Sequence, residues 1–269
     1  MTQLRHKRLR PPAELKALLT GYRYRHVWQG YVTDVFRFEN TNSRTVLYLK
    51  RYRRRSWQNA VKEKQVLACL KGKLPVTEVV AFCSDRCYHY LLLQELEGVP
   101  AHKLIIQIPA EQMLKIMVET MLWMHSVPVE NCPLDESMPA KLVRIRFLLD
   151  KGWLRKDTYN ARTRRNAEHD YQFLCEQIPD QEEMVFTHGD FCLPNFLLTD
   201  RRVTGIVDLA DAGPGDRYMD ICTLANTMCY NYKQPHKFIH YCQSIFELYG
   251  IADPDWDKLK YYQLVNEML

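Results

Sequence analysis

At 269 residues, with 46% hydrophobic and 26% charged side chains, the chain is long enough for two cored units and is too apolar for a disordered protein. A formal net charge of +5 permits anionic ligands without demanding nucleic acid, and no apolar run reaches the roughly 18 residues of a membrane span. Nine scattered Cys with no C-x-x-C pair argue against a disulfide framework or a zinc site, and the basic N-terminus has no apolar segment behind it, so the expected location is the cytoplasm.

The elements are taken in chain order. Residues 12–22 read as a short amphipathic helix ended by Gly21. Three β-prone runs follow, at 24–29, 34–39 and 45–51, the last two joined by the turn-rich 40–43. Residues 59–71 have helical spacing and stop at Gly72; 76–82 and 88–93 return to strand. The clearest helix is 109–126, with Leu114, Met117, Met121, Leu122 and Met124 as its core stripe and His125 as a structural residue. Residues 137–176 read as helical and polar, and 255–269 as an amphipathic helix burying Trp256, Leu259, Tyr262 and Leu264. Strands with one helix, followed by a long helical remainder, predict a small β-rich unit and a larger second one, divided into 1–96 and 97–269.

The chemistry centres on 185–208. Short apolar runs at 185–186, 196–198 and 203–209 read as buried strands, so His188, Gly189, Asp190 and Asn195 fall on the loop between the first two, and Asp208 ends the third. Phosphoryl transfer from a nucleotide needs a carboxylate to orient the acceptor hydroxyl, and a carboxylate with an amide oxygen to hold magnesium. Asp190 suits the first role; Asn195, five residues on, and Asp208, 18 residues on, suit the second. Either residue alone would read as stabilising a tight loop; the whole string, with its strands, reads as a kinase catalytic loop. Lys50 ends a strand, and Glu63 lies one turn into the next helix, as a phosphate-gripping ammonium and its carboxylate partner would. The stretch from Gly30 to Asp34 lacks both G-x-G-x-x-G and a Walker motif, leaving Thr33 as the hydroxyl offered to phosphate. Glu95 and Leu96 leave the last strand of the first unit, where backbone groups would meet adenine, with Tyr48 as a stacking face. Asp220 is read either as a brace for the catalytic loop or as a helix cap.

These residues, with Leu47-Tyr48-Leu49-Lys50, Gly72-Lys73-Leu74-Pro75, Ile206-Val207-Asp208, Tyr218-Met219-Asp220 and the tail from Tyr249 to Glu267, resemble the aminoglycoside 3'-phosphotransferase family over nearly the whole chain. The resemblance implies an α+β, bilobal protein-kinase-like fold, ATP and Mg2+ as cofactors, and a small-molecule acceptor phosphorylated on a hydroxyl. It also implies acceptor contacts from Glu267 and the carboxylate of Leu269, and Asp216 is a further acid for that site. The expected assembly is a monomer or weak dimer without nucleic-acid or membrane partners.

The departures from the family pattern concern the acceptor. Leu193, Asn231 and Asn266 stand where relatives carry acids, Asp211 stands for an Arg, and 151–165 holds Lys151, Arg155, Lys156, Arg162, Arg164 and Arg165 against the single acid Asp157. The leading acceptor is an aminoglycoside; the alternatives are a less cationic hydroxyl compound and a non-catalytic nucleotide-binding platform. Protein-kinase activity is not expected, because no Ala-Pro-Glu follows Asp208.

Overall fold

The computed structural model describes residues 9–30, 32–54, 60–130, 132, 134–154 and 164–269, with backbone alone at 164–166. They fall into two compact units. The first takes in the residues up to Glu97 together with Gly205–Ala210; the second comprises Gly98–Thr204 and Asp211–Leu269. A division at a single point between 96 and 97 therefore misses one short segment, which carries Asp208.

The first unit is an antiparallel sheet with two helices. Helix α1 (Ala13–Leu18) leads into β1 (Arg23–Gln29), β2 (Thr33–Asn40) and β3 (Thr45–Arg53); α2 (Ala60–Leu70) precedes β4 (Val79–Ser84) and β5 (Tyr88–Gln94). The strand order is β1-β2-β3-β5-β4. Asn40 turns the chain from β2 to β3, its Oδ1 accepting from the backbone N–H groups of Asn42 (3.0 Å) and Ser43 (3.2 Å). The register sets Phe36 opposite Leu49 and Phe38 opposite Leu47. Side chains alternate along a strand, so these four share one face with Leu92 and pack with Leu15 and Leu19 around α1. Tyr48, Lys50 and Tyr52 occupy the opposite face of β3.

Several expected boundaries move. Helix α1 stops at Leu18, and Val76 is not in a strand run: it makes a lone parallel bridge to Ile206, and β4 begins at Val79. The expected helix from 59 starts at Ala60 among the described residues; Asn59 lies outside them.

The second unit starts with the two-residue β6 (Val99–Pro100). The helices α3 (Ala110–His125), α4 (Met138–Lys151) and α5 (Arg164–Glu176) follow, then β7 (Met184–Thr187) and β8 (Phe196–Thr199). The strand β9 (Arg202–Ile206), whose last two residues belong to the first unit, comes after a two-residue turn, Asp200 and Arg201, both with positive φ, as a type I′ hairpin requires. After β10 (Gly213–Asp216) come α6 (Arg217–Asn231), α7 (Phe238–Tyr249) and α8 (Trp256–Met268). The methionines of α3 are core, with Met113, Met117, Met121 and Met124 fully buried, but Leu122 is exposed because its position turns to solvent. The expected helix over 137–176 is broken at Gly152, whose left-handed conformation caps α4. Of the basic run, Arg155, Lys156 and Arg162 lie outside the described residues; Lys151 is exposed. Among the described residues no helix is long and apolar enough to cross a membrane.

Candidate active site

In the second unit the site is built on β7 and β10, which pair antiparallel with Thr187 opposite Gly213. Past the end of β7 the chain turns at His188, Gly189 and Asp190, and one buried carboxylate holds that turn. Asp220, in the first turn of α6, accepts from the backbone N–H of His188 at 2.7 Å and of Gly189 at 3.0 Å. His125 Nε2 lies 3.1 Å from the same carboxylate, and its Nδ1 is 2.8 Å from the Tyr249 hydroxyl. A carboxylate with no exposure needs such partners, and here they come from the loop and from His125 of α3, which Tyr249 of α7 holds in turn. Asp220 is thus the loop brace and not a cap; the N-cap of α6 is Asp216, whose side chain accepts from Tyr218 N.

Gly189 is required by the backbone. Its φ is +80°, and a Cβ there would sit 2.2 Å from the carbonyl oxygen of Asp211. Gly189→Ala is therefore expected to destabilise the protein by at least about 1–2 kcal/mol from the left-handed conformation alone. The backbone clash should also displace Asp190. Urea unfolding and turnover measured together check this; an active variant of unchanged stability would contradict it.

Asp190 is partly exposed, and Asn195 is buried, at the end of a 3-10 turn. Asn195 Nδ2 donates to Asp190 Oδ2 at 3.1 Å and to the Asp190 carbonyl at 3.0 Å. Both partners are acceptors, so only the NH2 group fits there, and the carbonyl oxygen Oδ1 takes part in neither bond. The loop thus brings the Asp190 carboxylate and the Asn195 carboxamide together.

In the first unit Lys50, Glu63 and Asp208 meet. Lys50 Nζ lies 2.6 Å from Glu63 Oε1 and 2.9 Å from Asp208 Oδ1. Burial pushes the ammonium's pKa down, but Asp208 and then Glu63 outweigh it and hold Lys50 well above its ordinary value. Glu63 is almost wholly buried, whereas the Asp208 side chain is 46% exposed. Asp208 does not end a strand as expected: β9 stops at Ile206, and Asp208 has a φ of +62°, a conformation Asp tolerates better than most residues. Among the described residues no group of three or more His, Cys, Asp or Glu is placed to hold a metal ion.

The remaining expected residues divide. Tyr48 is half-buried, its hydroxyl donating to Glu95 Oε1 at 3.4 Å, and Leu96 lies beyond the last strand residue, Gln94. Thr33 is buried at the start of β2, with no hydrogen-bond partner for Oγ1 among the described residues. Asp216 is corrected as an acceptor contact. Its carboxylate is wholly buried, caps α6, accepts from Glu183 N at 2.9 Å and pairs with Lys258 at 2.6 Å. Glu267 is half-buried near the end of α8, where burial and then Asp170 raise its pKa, and Leu269 is partly exposed. Sequence reasoning missed Arg144, which pairs with Asp211 at 2.8 Å, and Tyr52, whose hydroxyl donates to Glu63 Oε2. For Tyr52 the available signal was its two-residue spacing from Lys50, which puts both on one face of β3.

Comparison with known proteins gives the family and the fold. A family model described as "Phosphotransferase enzyme family" matches residues 23–262. An aminoglycoside 3'-phosphotransferase from Staphylococcus aureus is 30% identical over 271 residues, covering 97% of this chain and 99% of its own length. Another from Enterococcus faecalis is 29% identical over 270 residues, covering 97% and 99%. The crystal structure of an aminoglycoside-3'-phosphotransferase of type VIII superposes with a TM-score of 0.78 at 20% identity, over 95% of this chain and 97% of that one. The fold is protein-kinase-like.

Proposed function

Since the chain belongs to the phosphotransferase enzyme family, among the aminoglycoside 3'-phosphotransferases, and transfers phosphate to an alcohol group, we propose that it uses ATP with magnesium to phosphorylate an aminoglycoside hydroxyl. The observation that carries this reading is the Asp190–Asn195 pair on a loop pinned by buried Asp220. In the proposed mechanism Asp190 orients the acceptor hydroxyl and takes its proton late in a loose transition state. Lys50, held by Glu63, binds the nucleotide's phosphates. Asn195 Oδ1 and Asp208 supply the protein oxygens for magnesium, which neutralises charge on the transferring phosphate when bound. Tyr48, Glu95 and Leu96 are the proposed adenine contacts, and Glu267 with the Leu269 carboxylate the acceptor contacts. An ADP-release screen across aminoglycosides, other hydroxylated antibiotics and nucleosides tests the reading; no turnover with any of them would sink it.

The surroundings of the acceptor contacts favour a less cationic acceptor within that chemistry. A polycation needs carboxylates around its amines, and an unmatched ammonium is costly to desolvate. Leu193 is fully buried, Asn231 gives its NH2 to the Thr227 carbonyl at 2.8 Å, and Asn266 Oδ1 lies 3.4 Å from the Thr223 hydroxyl. With Asp216 occupied by Lys258, Glu267 and the Leu269 carboxylate are the proposed acidic contacts left. Small or weakly charged acceptors should be phosphorylated better than highly cationic ones. Asn266→Asp is the conservative test: it keeps an oxygen for Thr223, whereas Leu193→Asp would bury a charge. It should lower KM for kanamycin-like compounds by about 2–5-fold, the worth of one partly exposed charge pair, and leave the ATP KM alone. Micromolar KM values of the unmodified protein for multiply charged aminoglycosides would defeat the charge reasoning.

A further inference from the structure

Resting on the phosphotransfer reading above, we propose that Tyr52 is a positioning residue for nucleotide binding, acting through Glu63 to hold the Lys50 ammonium in place. The geometry begins with the strand. Lys50 and Tyr52 are two residues apart on β3 and therefore project from the same face, and α2 brings Glu63 to both. Glu63 uses its two oxygens separately: Oε1 accepts from Lys50 and Oε2 from the Tyr52 hydroxyl. Glu63 and Tyr52 are each 1% exposed, so no water competes for either bond.

The consequence lies in how Lys50 is shared. Its ammonium pairs with Glu63 inside the protein and with Asp208, whose side chain is the solvent-accessible partner. If Asp208 takes up a cation, as proposed above, Glu63 becomes the fixed partner of Lys50. A carboxylate anchored by one bond can rotate about its terminal torsion, which is soft. Anchored at both oxygens, it keeps Oε1 directed at the ammonium. A tyrosine hydroxyl that merely satisfied its own burial would contribute to stability but not to nucleotide affinity.

The test uses Tyr52→Phe, which keeps the ring and deletes the one donor, beside Lys50→Ala, Glu63→Gln and Tyr52→Phe/Glu63→Gln. Binding of ADP with magnesium is followed by calorimetry, and kcat and KM are determined for ATP and acceptor. Urea midpoints confirm that each variant folds. Tyr52→Phe is expected to weaken nucleotide affinity and kcat/KM for ATP by about tenfold, the worth of a hydrogen bond to a charged group, while the acceptor KM stays within twofold. In the Glu63→Gln background the same substitution should change nucleotide affinity less than twofold, because the route to Lys50 is already broken. An unchanged affinity in Tyr52→Phe, or an equal loss in both backgrounds, overturns the positioning role while Lys50→Ala still impairs binding. If Lys50→Ala leaves nucleotide binding intact, the phosphotransfer reading fails, and the inference falls with it. Should Glu63→Gln not fold, the single Tyr52→Phe variant decides: a stability loss with unchanged nucleotide affinity marks a purely structural tyrosine and overturns the proposal.

Discussion

Asp190→Asn is expected to lower kcat by at least about 100-fold, the lower end for a group acting as acid or base, while nucleotide affinity barely changes. The substitution isolates charge from shape. In the native loop Asn195 Nδ2 donates to Asp190 Oδ2, and a carboxamide at 190 retains one oxygen that can accept that bond. The brace is untouched as well, because Asp220 binds the backbone of His188 and Gly189, not the side chain at 190. What the variant lacks is the negative charge and the basic second oxygen that would orient the acceptor hydroxyl. Steady-state kinetics with calorimetry of nucleotide binding checks this. A near-normal kcat in a folded Asn variant would remove Asp190 from the mechanism.

The loop from His188 to Asn195 was legible because its contacts are local. The interval from Asp190 to Asn195 is short enough for spacing alone to carry meaning, and the apolar runs on either side form β7 and β8 as expected. Lys50 and Glu63 were legible for a related reason, since an apolar strand and the first turn of the next helix are assignable from periodicity, although Lys50 lies within β3, which runs on to Arg53, and does not end it as expected. Long-range occupancy was not legible. Asp216 reads as an available acid until Lys258, from α8, is found paired with it, and nothing in the sequence near 216 announces that partner. Arg144 was missed for the same reason, since its partner Asp211 is chosen by how the chain packs, whereas Tyr52 carried the one signal of its spacing from Lys50. The placing of Thr33 was not legible either, because β2 already begins there and buries its side chain. The expected strand through Asp208 failed because one left-handed residue ends the extended run, which apolar patterning does not reveal.

Asp208→Ala is expected to abolish turnover and to weaken binding of magnesium–nucleotide far more than binding of metal-free nucleotide. The difference follows from the sign of the charges. Asp208 Oδ1 pairs with Lys50, so removing the carboxylate leaves Lys50 with Glu63 alone and makes the site less negative. Metal-free ATP, a polyanion, meets no added repulsion there and gains a less neutralised ammonium. The magnesium complex loses one of its two proposed protein oxygens. Alanine also fits the left-handed backbone at 208 poorly, at about 1–2 kcal/mol, so Asp208→Asn is the necessary companion. Asn tolerates that conformation and keeps an oxygen near Lys50, yet it binds a divalent cation less strongly than a carboxylate. Calorimetric titration of both variants with ADP, in the presence and absence of magnesium, separates the two effects. If both forms of the nucleotide weaken equally in Asp208→Asn, the carboxylate serves Lys50 and not the metal, and the magnesium assignment of Asp208 is wrong.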